Sequence, residues 1–262
     1  MPSEARRVCK ATAVETNLDG PLPFCEQRMP KTKPKDTKRF TGFSKEGMRF
    51  LADLAKHNDR SWFQPRKHIY ETELLEPLQA LVADASEALR KAKIPIGAVP
   101  TRSIFRIYRD IRFSRDKSPY KTNLGAYLAP TIGGPHEAPG GIYIHIQPKR
   151  SFMAVAFYEL DKERLDRWRT AMAKDPKRFQ AMVRSLERNG LSISQQHEAL
   201  KRMPRGFEDQ AASPIASYFK LASFTTGEEL SDADVGSERL VVRVVSLAKK
   251  AKPLLAYGST IG

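Results

Sequence analysis

The order of hydrophobic periodicities along the chain constrains its fold more than any other feature. Apolar residues recur with helical spacing over about 43–92, adopt strand patterns between about 104 and 158, and return to helical spacing over about 161–189. A further strand pattern and a final helical pattern follow. A doubly wound parallel sheet requires regular alternation of strands and helices, which this order lacks. We therefore expect an α+β fold, a single domain with a largely antiparallel sheet covered by helices.

Two neighbouring segments in the middle of the chain predict a β-hairpin. Isoleucines alternate with polar and aromatic residues over 142–147, the Pro-Lys-Arg sequence at 148–150 can turn the chain, and 152–158 is typical of a second arm. The apolar residues interleaved with arginines at 104–113 predict another strand, and 219–226 predicts a fourth.

The N-terminal region differs from the rest of the chain. Residues 30–39 are rich in lysine and proline and cannot pack into a core. We predict a disordered basic arm over 1–39 and a folded domain over 40–258. Because a methionine stands at position 29, residues 1–28 are interpreted as an over-extended start, with a disordered arm that contacts acidic surfaces as the alternative.

The cysteine distribution and the apolar runs limit the class of protein. Both cysteines, Cys9 and Cys25, lie in the N-terminal region, so the predicted domain has no disulfide framework and no cysteine nucleophile. A reduced, cytoplasmic setting fits this pattern. The sequence contains no run of about 18 apolar residues, which excludes a transmembrane helix and favours a protein without a membrane partner.

The net charge indicates polyanionic partners. Lysine and arginine total 45 against 30 acidic residues, a formal charge of +15. A basic surplus of this size favours phosphorylated small molecules or nucleic acid as ligands. No histidine spacing typical of a metal site occurs, and neither a cofactor nor the oligomeric state can be inferred.

The densest basic motif lies at 102–121, which contains seven Lys/Arg and two Asp. If 104–113 is extended, Arg109 shares a face with Phe105, Ile107, Ile111 and Phe113. A cation on an apolar face is costly unless it finds a carboxylate, carbonyl groups or a bound anion. Arginine is suited to such a site because its guanidinium binds carboxylate and phosphate through two hydrogen bonds.

We interpret the motif as the lining of a pocket for a phosphorylated or other anionic ligand. The candidate ligand-binding residues are Arg106, Arg109, Asp110, Arg112, Asp116, Lys117, Tyr120 and Lys121. His145 joins them if the hairpin pairs with the motif strand, although a hydrogen-bonded sheet histidine is the alternative. His145 belongs to a second group of weaker candidates together with Trp62, which could stack on a base, and Lys67.

Two other interpretations of the motif stay open. In one, the arginines and aspartates form a self-satisfied structural network in an interaction protein. In the other, the chain is a non-catalytic nucleic-acid-binding module that uses its basic surface. No catalytic residue can be assigned, so enzyme activity is undecided.

The motif resembles the signature of the DUF2461 family. The residues that carry the resemblance are Arg106, Arg109, Asp110, Arg112, Phe113, Asp116, Lys117 and Tyr120. Trp62-Phe63 with Lys67 and Tyr70, and the Gly-Ile-Tyr-Ile-His-Ile sequence at 141–146, are also similar to it. The resemblance runs from about residue 40 to about residue 256. Because this family has no known function, the resemblance implies neither a substrate nor catalytic residues.

Overall fold

The structure, a computed structural model, describes residues 38–112, 116–130, 140–195 and 200–261. The predicted arm at 1–39 lies outside the described residues except for its last two positions, so that prediction stays untested. Within the described residues the chain forms an antiparallel sheet of five strands together with helices on one of its sides. This is the α+β, single-domain architecture that the sequence predicted.

The first part of the described chain is helical. Its elements are α1 (Lys45–Leu54), α2 (Arg60–Phe63), a 3-10 turn (Gln64–Arg66), α3 (Lys67–Tyr70), a π-helical segment (Glu71–Leu75) and α4 (Glu76–Lys91). The Ser44 hydroxyl accepts the Gly47 amide at 3.0 Å, and this N-terminal cap explains why α1 begins at Lys45. Gly47 is required inside α1 because a Cβ there would lie 2.7 Å from the Glu73 carbonyl oxygen.

The sheet follows, with its strands in chain order. They are β1 (Ile96–Gly97), β2 (Leu124–Pro130), β3 (Gly141–Ile146), β4 (Phe152–Phe157) and β5 (Phe224–Glu229). A short helix, α5 (Pro100–Ser103), follows β1. Each strand pairs antiparallel with the next. The β3–β4 hairpin confirms the prediction from the alternating isoleucines.

The remaining helices belong to the second half of the chain. They are α6 (Lys162–Lys174), α7 (Pro176–Arg188), α8 (Ala216–Phe219), α9 (Asp232–Val235), α10 (Arg239–Lys250) and α11 (Lys252–Gly258), with a 3-10 turn at Glu208–Ala212. Asp161 and Asp175 cap α6 and α7 by accepting amide hydrogens. The Trp168 indole of α6 stacks on Phe224 with ring centroids 4.1 Å apart, which joins α6 to the sheet.

The two faces of the sheet differ in chemistry. The inner face carries Ile142, Ile144 and Ile146 into the main core, where α4 contacts β2 and α10 contacts β4. The opposite side, here called the outer face, carries Tyr127, Tyr143, His145, Phe152 and Ala154. Aromatic and polar side chains on an antiparallel strand opposite an apolar core are the expected result of period-two alternation.

The strand predicted at 104–113 is wrong. Over its described part, 104–112, only isolated bridges form, between Ile104 and Ala126 and between Tyr108 and Tyr120. The segment begins beside β2 and then pairs with its own continuation, so its backbone hydrogen bonds are divided between two partners and no continuous ladder results.

The strands differ from the sequence analysis at two further places. The sequence did not predict β2, whose Leu-Gly-Ala-Tyr-Leu-Ala-Pro sequence has few residues with high β propensity. The strand expected at 219–226 begins later, at Phe224, because α8 ends at Phe219 and a short connection follows.

Candidate functional site

The backbone of the basic motif is held between β2 and its own return segment. The Phe105 amide donates to the Gly125 carbonyl at 2.9 Å, which attaches the start of the motif to β2. Further along, the Arg109 amide donates to the Pro119 carbonyl at 2.9 Å and the Lys121 amide donates to the Ile107 carbonyl at 2.7 Å. These bonds form a narrow two-stranded loop in which residues 107–109 run beside residues 119–121.

Arg109 is paired within the motif. Its guanidinium forms an ion pair with Asp116 and donates a second hydrogen bond to the Ser118 hydroxyl at 3.2 Å. Asp116 also accepts the Ser118 amide at 2.8 Å. The hydrogen bonds from Ser118, followed by those from Arg109, hold the pKa of Asp116 below its ordinary value. Arg109 therefore has a carboxylate partner, as the structural interpretation requires.

Arg112 and Asp110 form a second internal pair. Arg112 Nε lies 3.0 Å from Asp110 Oδ1 and its Nη2 lies 2.7 Å from Oδ2, which is a two-point contact. The Arg112 side chain and amide are the main reasons that the pKa of Asp110 falls to about 2. This pair lies in a solvated part of the motif, where the carboxylate and guanidinium largely satisfy each other.

Lys117 and Tyr120 each have a partner within the protein. Lys117 Nζ donates to the Ile111 carbonyl at 2.9 Å. Tyr120 is only 1% exposed, and its ring stacks on Phe63 in the main core. The Asn58 side chain holds the backbone of Tyr120 from both sides, accepting its amide at 3.0 Å and donating to its carbonyl at 2.9 Å.

Trp62 and Lys67 lie on the helical side of the motif, where Tyr120 packs on Phe63. The Trp62 ring is stacked with His57 and has the Arg66 guanidinium 4.8 Å from its centroid. Lys67 forms an ion pair with Glu71 at 2.8 Å. The structure therefore does not bring these two residues together with His145.

Arg106 and Lys121 differ from the other cations of the motif. Within the described ranges, neither side chain forms a hydrogen bond or an ion pair with a carboxylate. Arg106 lies near enough to Asp110 to lower its pKa, but Arg112 already occupies both oxygens of that carboxylate. Lys121 Nζ instead lies 5.5 Å from the centroid of the Phe105 ring.

The charges around Lys121 are mostly positive. Burial lowers the pKa of Lys121, and the positive charges of Arg106 and Arg109 lower it further. We call Arg106, Arg109 and Lys121 the basic cluster. It contains three cations, and Asp116 is the one carboxylate bonded to any of them in the described chain. Adding an anion to such a cluster is electrostatically favourable.

The cluster is connected to His145 through aromatic side chains. Phe105 packs edge-on against Tyr143, with centroids 6.0 Å apart, and the Tyr143 hydroxyl lies 3.2 Å from His145 Nδ1. His145 is 8% exposed and its ring stacks on Phe152 at 4.7 Å. His145 was expected to join the motif if the hairpin paired with the motif strand. That pairing does not form, because β2 lies between the motif and β3.

Both ring nitrogens of His145 face hydrogen-bonding groups of the protein. Nε2 lies 3.0 Å from Gln147 Oε1, and Nδ1 faces both the Tyr143 hydroxyl and, at 3.3 Å, Asn123 Nδ2. Burial lowers the pKa of His145, which favours the neutral ring. This geometry agrees with the alternative of a hydrogen-bonded sheet histidine.

Sequence reasoning did not single out four residues of this region, namely Phe105 as a site residue, Asn123, Gly125 and Tyr143. The position of Tyr143, two residues before His145 on β3, was a usable signal, since residues two apart on a strand share a face. The proximity of Phe105, Asn123 and Gly125 to these two residues depends on β2, which the sequence did not predict.

The described chain also contains features that lie apart from the basic cluster. A cavity of about 540 Å³ is lined by residues of α1, α9 and the β3–β4 turn, among them Phe43, Met48, Pro148 and Asp232.

None of the described His, Cys, Asp and Glu residues form a group of three or more that could hold a metal ion. No described helix combines the length and the apolar character needed to cross a membrane.

Comparison with known proteins identifies a family but no characterised relative. A family model described as "Conserved hypothetical protein (DUF2461)" matches residues 46–257, which is most of the chain. Comparisons with curated proteins and with solved structures found no match. The match includes the whole basic motif and all five strands.

Proposed function

This chain belongs to the DUF2461 family of conserved hypothetical proteins, and we propose that its basic cluster binds the phosphate group of a small anionic ligand. The observation that carries the proposal is the position of Lys121. Its half-buried ammonium lies within electrostatic range of Arg106 and Arg109 and has no carboxylate partner in the described chain. A bound phosphate would supply the missing negative charge and accept hydrogen bonds from all three side chains.

The structure supports a smaller set of ligand-binding arginines than the sequence suggested. Arg106 is available for a ligand, Arg109 is shared with the solvated Asp116, and Arg112 is paired with Asp110. We therefore assign Arg112 and Asp110 to the structural network of the motif. Phosphate would displace Asp116 from Arg109 or bind beside it, because that carboxylate is more than half exposed.

Lysine and arginine have complementary roles in this proposal. The Arg106 guanidinium can offer two parallel N–H groups to two phosphate oxygens, whereas the Lys121 ammonium acts as a compact charge. The Phe105 ring beneath Lys121 limits the directions from which water can solvate the ammonium. A poorly solvated cation gains more from an anion than one in bulk water does.

Isothermal titration calorimetry of the full chain tests the proposal. The probes are inorganic phosphate, phenyl phosphate and a short single-stranded oligonucleotide. The site variants are Arg106→Gln and Lys121→Met, and the matched controls are Arg184→Gln and Lys177→Met, two exposed positions on α7. We expect saturable binding of the small phosphates, weakened about tenfold or more by each site variant because hydrogen bonds to charged groups are lost, and unchanged in the controls.

Two outcomes would overturn the proposal. In one, neither small phosphate binds, or the site variants bind as the original protein does. In the other, only the oligonucleotide binds, with a steep dependence on salt and equal losses in the site and control variants. That second pattern is expected of a nucleic-acid-binding module whose affinity is distributed over many lysines and arginines. The cytoplasmic setting expected from the cysteine distribution stays a prediction.

A further inference from the structure

The protein groups around His145 offer one more hydrogen-bond donor than its neutral ring can accept. A neutral imidazole has one N–H and one lone pair in the plane of the ring. The Gln147 carbonyl oxygen, 3.0 Å from Nε2, takes the hydrogen, which leaves the lone pair on Nδ1. Two donors face that single lone pair, the Tyr143 hydroxyl at 3.2 Å and the Asn123 amide nitrogen at 3.3 Å. Only one of them can be satisfied well at a time.

Of the two donors, the Tyr143 hydroxyl is the one more easily left without an acceptor. A phenolic hydroxyl rotates about its C–O bond, so it can turn its hydrogen away while Asn123 donates to Nδ1. The Tyr143 side chain has no hydrogen-bond partner other than His145 in the described chain. Tyr143 is 6% exposed and burial raises its pKa, so the hydroxyl keeps its hydrogen. A buried donor without an acceptor is costly unless a ligand completes it.

The hydroxyl is located near the basic cluster on the outer face. The Phe105 ring lies between them, with Lys121 Nζ 5.5 Å from its centroid and the Tyr143 ring packed against it. Phe105 and Tyr143 pack closely over Gly125, which has no side chain. A Cβ at that position would lie 3.0 Å from Phe105 Cδ2 and 3.1 Å from the Tyr143 hydroxyl. The region thus has a cationic end, an aromatic middle and a neutral donor.

We propose that the ligand is a phosphate ester of a flat, aromatic-like group that carries a hydrogen-bond acceptor at the end remote from the phosphate. This inference rests on the proposed function and deepens it. The phosphate binds Arg106 and Lys121, the ring of the ligand packs against Phe105, and the acceptor receives the Tyr143 hydroxyl hydrogen. Inorganic phosphate would satisfy the cationic end alone.

A matched pair of ligands tests the inference with the full chain. Phenyl phosphate has the ring without an acceptor, and 4-nitrophenyl phosphate has the same ring with two acceptor oxygens at the far end. We expect the nitro compound to bind about three- to tenfold more tightly, the range for one neutral hydrogen bond. In Tyr143→Phe the two affinities become equal, at the value that phenyl phosphate has with the original protein.

Tyr127→Phe is the control, since the Tyr127 hydroxyl lies against Gly141 on the same face. This variant should retain the difference between the two ligands. The Tm of Tyr143→Phe should stay close to that of the original protein, because Asn123 continues to satisfy His145 Nδ1. A merely structural hydroxyl would instead lower Tm and leave the ratio of the two affinities unchanged.

The outcomes separate the two proposals. If neither phenyl nor 4-nitrophenyl phosphate binds, the proposed function itself fails. If both bind through Lys121, as shown by weaker binding to Lys121→Met, but with equal affinities, the Tyr143 inference alone is overturned. It is also overturned if their difference persists in Tyr143→Phe. A difference that disappears in Tyr143→Phe and persists in Tyr127→Phe supports both.

Discussion

Tyr120 stacks on Phe63 with ring centroids 4.0 Å apart and an angle of 17° between the rings, so the tyrosine that closes the basic motif is a core residue. Its bridge partner Tyr108 lies beside it but is 43% exposed. The motif therefore anchors itself in the helical core with one aromatic side chain, while Arg106, Arg109 and Lys121 are only partly buried. Tyr120 anchors the segment, whereas the proposed ligand contacts are made by other residues of the same segment.

This division predicts a large stability difference between two tyrosines. Tyr120→Ala removes a buried ring and should lower the free energy of unfolding by about 3–5 kcal/mol, as for other buried aromatic residues. Tyr108→Ala is the matched control and should cost less than about 1 kcal/mol because much of its ring is solvated. Urea unfolding measures both. Similar losses in the two variants would contradict the assignment of Tyr120 to the core.

The ion pair between Arg109 and Asp116 predicts a variant with tighter phosphate binding. Asp116→Asn removes the charge that competes for Arg109 while keeping an oxygen for the Ser118 amide. Because exposed ion pairs are worth about 0.2–1 kcal/mol, we expect the Kd for inorganic phosphate to fall roughly two- to fivefold. Calorimetry gives the value. Weaker binding in Asp116→Asn would indicate that Asp116 positions Arg109 for the ligand.

Lys121 predicts how phosphate affinity depends on pH. Burial and the charges of Arg106 and Arg109 place the pKa of Lys121 below its ordinary value of 10.5. Only the protonated amine attracts phosphate, so affinity should fall as pH rises from 8 and should do so below pH 10.5. Lys121→Arg stays charged and should bind with little change over the same range. Calorimetric titrations between pH 8 and 10 test this, and a flat profile for the original protein would refute it.

His145 predicts a pH dependence of stability. Burial lowers its pKa in the folded protein below the ordinary value of 6.5, so the unfolded chain binds the proton more readily. The stabilising contribution is complete above about pH 6.5 and is lost as pH falls through the folded pKa. Through this group the free energy of unfolding changes by at most about 1.4 kcal/mol per pH unit.

Urea unfolding between pH 7.5 and 5 measures this contribution as a difference between variants. His145→Gln should show a shallower decline than the original protein. Equal slopes in the two proteins would mean that His145 titrates in the same way in the folded and unfolded states.

The sequence by itself determined the fold class, the long helices and the central hairpin. Each of these is encoded by local patterns: alternating isoleucines for β3, capping residues such as Asp161 and Asp175 for α6 and α7, and apolar spacing for the helical faces. Such patterns reflect which side chains face the core, and neighbouring residues suffice to show them. The basic motif was visible for the same reason.

The tertiary structure alone decided which residues of the motif face one another. The isolated sequence 102–121 does not show that Tyr120 packs into the helical core or that Asn123 meets His145, because both contacts cross between segments distant in the chain. The contact of Asn123 with His145 depends on β2, a strand of weak local propensity that forms by pairing with β3. Only the tertiary structure shows that Arg109 and Arg112 pair with carboxylates, whereas within the described chain Arg106 and Lys121 have no carboxylate partner.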